Sequence, residues 1–111
     1  MHSLLILSRF ARDYRALIDA AQLPELTITS IDDPAEAAAT AASFDLAFGE
    51  PALLRQLMPA LSGLRWLQST WAGVEPLLDP ALRRDYILTN ARGVFGAQMS
   101  EYVFAYLLAH E

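Results

Sequence analysis

Short apolar runs alternate with stretches of helical periodicity along the whole of this chain. That alternation restricts the fold more than any other feature. Strands separated by helix-length segments are joined by crossovers and line up in parallel. Leu4-Leu5-Ile6-Leu7 is apolar at every position, as a strand covered on both faces must be. Leu26-Thr27-Ile28-Thr29-Ser30-Ile31 alternates and is rich in β-branched side chains, which places it nearer an edge. Phe44-Asp45-Leu46-Ala47-Phe48, closed by Gly49, reads as a third strand. Leu64-Arg65-Trp66-Leu67-Gln68-Ser69 and Tyr86-Ile87-Leu88-Thr89-Asn90 are the fourth and fifth.

The intervening segments carry helical patterns. Residues 9–22 set Phe10, Tyr14, Leu17, Ile18 and Ala21 on one face, and Pro24 ends the helix. Asp33-Pro34 reads as an N-cap with proline at the first helical position, opening an alanine-rich helix to residue 42. Residues 50–61 space Leu53, Leu54, Leu57, Met58 and Leu61 as one stripe, stopped by Ser62-Gly63. Residues 75–85 hold short pieces punctuated by Pro76 and Pro80, and residues 97–111 make a last helix, apolar nearly all round. The pattern predicts an α/β, flavodoxin-like, doubly wound parallel sheet of five strands in the order 2-1-3-4-5. The sheet domain spans residues 1–96 and the C-terminal helix residues 97–111.

Composition narrows the function classes. The net charge is −5, and the eight cations, all arginine, are scattered, so no basic stripe exists to hold a nucleic acid. The absence of cysteine excludes disulfides and thiolate metal sites. His2 and His110 lie near opposite ends with no metal-ligand spacing. No apolar run is long enough to cross a bilayer, and the apolar start lacks a basic leader and is broken at Arg9, so a cytoplasmic protein is expected.

In an open parallel sheet, ligands bind beyond the carboxyl ends of the strands. Two loops fall there. In Ser69-Thr70-Trp71-Ala72-Gly73-Val74, small residues allow close backbone approach and successive N–H groups make an anion seat. Trp71 is placed to wall off a pocket. On composition alone, a tight turn with Trp71 packed on the core is the simpler reading. In the second loop, which runs from Asn90 to Glu101, two glycines bracket a bulky pair. Arg92 is either a carboxylate or phosphate ligand, or, in a plain capping loop, solvated or paired to Glu101. Asp32-Asp33 follows the second strand, the wrong place for a phosphoryl-receiver pair, and caps a helix instead. Ser8-Arg9-Phe10-Ala11-Arg12 has no glycine and does not suit a flavin phosphate. His110 has no acid or base partner in the pattern and reads as structural.

Together the two loops resemble those of the D-isomer-specific 2-hydroxyacid dehydrogenases. The similarity is carried by residues 64–74, ending Ser69-Thr70-Trp71-Ala72-Gly73-Val74, and by residues 88–109, with Leu88-Thr89-Asn90-Ala91-Arg92-Gly93-Val94-Phe95-Gly96 followed by Met99-Ser100-Glu101-Tyr102-Val103-Phe104-Ala105-Tyr106-Leu107-Leu108-Ala109. The Trp-Ala-Gly-Val and Met-Ser-Glu-Tyr-Val forms look closest to the glyoxylate/hydroxypyruvate reductase branch. The resemblance implies an enzyme of two α/β domains, of which this chain is the N-terminal, substrate-binding portion (1–96) and a truncated interdomain helix (97–111). The nucleotide-binding domain would supply the Gly-x-Gly-x-x-Gly loop, a catalytic histidine with its carboxylate, and a substrate arginine. No Gly-x-Gly-x-x-Gly occurs here. The parent would transfer a hydride between NAD(P)H and a small 2-keto acid. In it, the N–H groups of Ala72 and Gly73 would bind the substrate carboxylate, Trp71 would form a pocket wall, Arg92 would approach substrate, and Met99 the nicotinamide. No catalytic residue is expected in this chain, nor any NAD(P)H bound to it alone, nor turnover. The apolar helix at 97–111 predicts a homodimer. The alternative is a self-standing flavodoxin-like binding or regulatory domain that dimerises through that helix.

Overall fold

β1 (His2–Leu7) lies inside the sheet, pairing in parallel with β2 (Leu26–Ile31) on one side and β3 (Leu46–Gly49) on the other. β4 (Trp66–Ser69) follows β3, and β5 (Ile87–Thr89) forms the far edge. The computed structural model describes residues 1–91, and its five-stranded sheet runs β2-β1-β3-β4-β5, the order expected from the sequence. The expected helix at 97–111, and any dimer contact through it, lie outside the described residues.

The uniform apolar run of β1 follows from this position. Successive side chains leave a strand on opposite faces. Leu5 and Leu7 enter the larger core, with Leu54 and Leu57 of α3 (Pro51–Leu57) and Leu67 of β4. Leu4 and Ile6 point the other way, against Tyr14 and Ile18 of α1 (Ala11–Ala20). Fully burying one such leucine contributes about 1.5–3 kcal/mol. Tyr14 meets Phe48 edge to face, with ring centroids 4.9 Å apart.

Several boundaries differ from the sequence expectation. The helix that opens at Asp33 stops early. Asp33 does cap it, accepting the Ala35 N–H at 3.0 Å, but α2 covers only Pro34–Ala37. A tighter 3₁₀ turn follows at Ala41–Ser43, where the Ser43 hydroxyl donates to the Thr40 carbonyl and competes with helical bonding. α3 ends at Leu57 because Pro59 has no N–H to continue the ladder, and Met58–Ala60 tightens into 3₁₀ geometry. β3 begins at Leu46, two residues later than expected; just before it, the Asp45 N–H donates to the Ser3 carbonyl and the Asp45 carbonyl accepts from the Arg65 and Trp66 N–H groups, while the Asp45 carboxylate accepts from the Ser3 N–H and the His2 ring. β4 begins at Trp66. The apolar stripe of α1 is narrower than its sequence suggests. Tyr14 and Ile18 meet the sheet, whereas Phe10 and Ala21 are exposed and Leu17 is 69% exposed on the helix flank.

Strand pairing sets the geometry of the ligand end. Leu7 stands opposite Gly49, and Gly49 opposite Ser69, so the loops after β1, β3 and β4 leave the sheet side by side. Gly49 is required by proximity: a Cβ there would lie 1.9 Å from the Leu7 carbonyl oxygen.

Candidate functional site

Four loops meet at the carboxyl edge of the sheet, and the one after β4 is held from several directions. The Thr70 N–H donates to the Gly49 carbonyl at 3.0 Å. The buried Ser69 hydroxyl turns the chain, accepting the Trp71 N–H and donating to the Trp71 carbonyl, both at 2.9 Å. The Trp71 carbonyl also takes the Ala91 N–H at 3.1 Å, and the Asn90 side-chain amide donates to the Ala72 carbonyl at 2.7 Å. The carbonyls of Trp71 and Ala72 are thereby engaged. Among the described residues, the N–H groups of Ala72 and Gly73 have no acceptor. Two adjacent free donors on a fixed loop can receive an anion without reorganising.

Gly73 needs no unusual backbone angle. A Cβ at this position would meet only the Glu75 carboxylate, at 2.6 Å, the far end of an exposed side chain. Trp71 is 41% exposed, so its indole is not spent on the core as the simpler turn reading required. The Thr70 hydroxyl oxygen is buried without a partner among the described residues.

On the other side of this loop the chain forms a buried polar unit. Glu50 follows β3 and is 4% exposed. One of its oxygens accepts the Ser8 hydroxyl at 2.6 Å, and the other accepts the Arg9 N–H at 3.2 Å. Ser8 Oγ accepts the Phe10 N–H at 3.0 Å. The loop after β1 thus turns its free N–H groups inward onto protein oxygens, and it offers no cradle to a phosphate. Among the described residues there is no cluster of three or more histidine, aspartate or glutamate side chains able to hold a metal ion, and no helix long and apolar enough to cross a membrane.

No family model and no curated protein matches this chain. A solved structure does. It is the crystal structure of a D-isomer specific 2-hydroxyacid dehydrogenase family protein from Aeromonas salmonicida subsp. salmonicida, 44% identical, with a TM-score of 0.94 over 97% of this chain. This chain belongs to the D-isomer specific 2-hydroxyacid dehydrogenase family. It spans about 35% of the length of that relative. A dehydrogenase-family domain is thus what the five parallel strands build.

Of the residues singled out from the sequence of this dehydrogenase-family chain, the structure brings Trp71, Ala72 and Gly73 together on one braced loop. Arg92 and Met99 lie outside the described residues. The sequence alone does not point to Ser8, Arg9 and Glu50 as a unit: Ser8 and Arg9 read only as an unsuitable flavin loop, and Glu50 only as the start of a helix. A charged residue directly after the strand-ending Gly49 was the available signal, but its partner lies 42 positions away in sequence.

Proposed function

We propose that this chain is the substrate-binding part of an oxidoreductase that transfers a hydride between NAD(P)H and a small 2-keto acid, of the glyoxylate/hydroxypyruvate reductase type. The observation that carries this reading is the pair of N–H groups at Ala72 and Gly73, without an acceptor among the described residues, on a loop whose carbonyls are tied down. A substrate carboxylate accepts from both donors, and the neighbouring keto group is then held at a fixed distance from the loop. Such charge-assisted bonds are roughly twice as strong as neutral ones. The exposed Trp71 side chain borders the space where the rest of the substrate lies, and excludes water from one side of it.

NAD(P)H, when bound, supplies the hydride. The described residues do not fit the nucleotide. The loop after β1 spends its N–H groups on Glu50 and Ser8, and the sequence has no Gly-x-Gly-x-x-Gly. This reading therefore assigns the nucleotide loop and the proton donor to residues outside this chain, and leaves the chain itself to bind and orient.

The test is turnover by a longer protein that contains this chain. NADH or NADPH oxidation should be seen with glyoxylate, hydroxypyruvate or pyruvate. If no small 2-keto acid, these three included, is reduced with either nucleotide by a folded preparation, the reading fails.

A further inference from the structure

Beside the Ala72–Gly73 seat lies a cleft of about 290 Å³ lined by Arg9, Glu50, Ala52, Leu53 and Trp71. Trp71 is common to the seat's loop and to the cleft. Two opposite charges border this space, and their settings differ. Glu50 is nearly inaccessible, with both oxygens engaged by Ser8 and by the Arg9 N–H. Arg9 is exposed, and it forms no ion pair among the described residues. Its guanidinium lies 5.4 Å from the centre of the Phe10 ring. The charge offered to a ligand is therefore the cation. The Glu50 contacts also fix the Arg9 backbone, so the guanidinium is carried on a braced turn.

Arg9 also borders a larger cleft of about 400 Å³ with Arg12 and Arg15. Asp32 and Glu36 stand on that side, and Arg15 is already bound to Asp19 and to the Ile28 carbonyl. Charges offset one another there. On the Trp71 side, a cation with no ion pair among the described residues stands next to the proposed seat for a carboxylate.

We propose, resting on the reading of Ala72–Gly73 as the seat of a 2-keto acid carboxylate, that Arg9 is a specificity-determining residue. It binds a second oxyanion at the far end of the substrate, so the cleft selects 2-keto acids that carry a distal carboxylate or phosphate. Ala52 and Leu53 supply the apolar wall along which the intervening carbons lie. A guanidinium fork matches either oxyanion bidentately, which a lysine ammonium does not.

The experiment uses a longer protein containing this chain and compares kcat/KM for oxaloacetate, phosphohydroxypyruvate and pyruvate. At least one of the two doubly anionic substrates should be preferred, and which one it is tells carboxylate from phosphate. Arg9→Gln should lower that preference ratio on the order of tenfold, mainly through KM. Arg9→Lys should recover part of it, and Arg12→Gln should leave the ratio within about twofold. The ratio is read so that any general loss of folded protein cancels. Pyruvate or glyoxylate turnover with an Arg9-independent ratio overturns this proposal and leaves the functional reading standing. An equal effect of Arg12→Gln overturns it too, by showing a general field and not a local contact. No turnover with any 2-keto acid removes the functional reading, and this proposal with it.

Discussion

Two glycines at the carboxyl edge show how one missing side chain serves different ends. At Gly49 a Cβ would fall 1.9 Å from the Leu7 carbonyl oxygen, and neither atom belongs to a movable side chain. Gly49→Ala must therefore separate β1 from β3. We expect a loss on the order of 3 kcal/mol or more, at the severe end for a single substitution, checked by denaturant unfolding. At Gly73 the obstacle is the end of Glu75, which can swing away. Gly73→Val should leave unfolding nearly unchanged. In a longer protein containing this chain it should raise the KM for 2-keto acids by about tenfold or more, because the branched side chain screens the adjacent N–H groups. A Gly73→Val protein with unaltered kinetics would remove the loop from the site.

At the scale of elements, Asp45 ties the start of β3 to β1. Its burial beside β1 acts to raise its pKa, but the hydrogen bonds from the His2 ring and the Ser3 N–H, with the His2 charge, outweigh this and hold it below the usual carboxylate value. A carboxyl lowered on folding stabilises the protein above its unfolded pKa of about 3.9, and that contribution is lost as pH falls through the lower folded value. Asp45→Asn should therefore be less stable than the parent sequence at neutral pH, and the gap should close below about pH 4. Urea midpoints measured across pH 2–7 would show it, and a gap that is constant with pH would contradict the assignment. Element types and strand order were legible in the sequence, because β1 is apolar from Leu4 to Leu7 and β2 alternates. Their ends were less so. Pro59 halts α3, and Ser43 draws its chain into a 3₁₀ turn. The Ser69–Val74 loop was legible because its chemistry is local. The Ser8–Glu50 unit was not, because only the pairing of β1 with β3 brings it together.

For the molecule as a whole, the division of labour sets what this chain does by itself. On the proposed reading, the seat, the Trp71 wall and the cleft beside them come from its own residues, whereas its sequence has no glycine-rich nucleotide loop. The purified 111-residue chain should therefore oxidise no NADH or NADPH with any 2-keto acid. Measurable turnover by that chain, verified by intact mass, would overturn the assignment of cofactor and proton donor to residues beyond it. The seat is also latched to its neighbour, since residues 90 and 91 hold the carbonyls of Ala72 and Trp71. Those two bonds act as a mechanical linkage. A tug on the backbone just after β5 must either drag the Trp71–Ala72 turn along or snap both bonds, so residues 90 and 91 set the alignment of a turn far upstream in the chain.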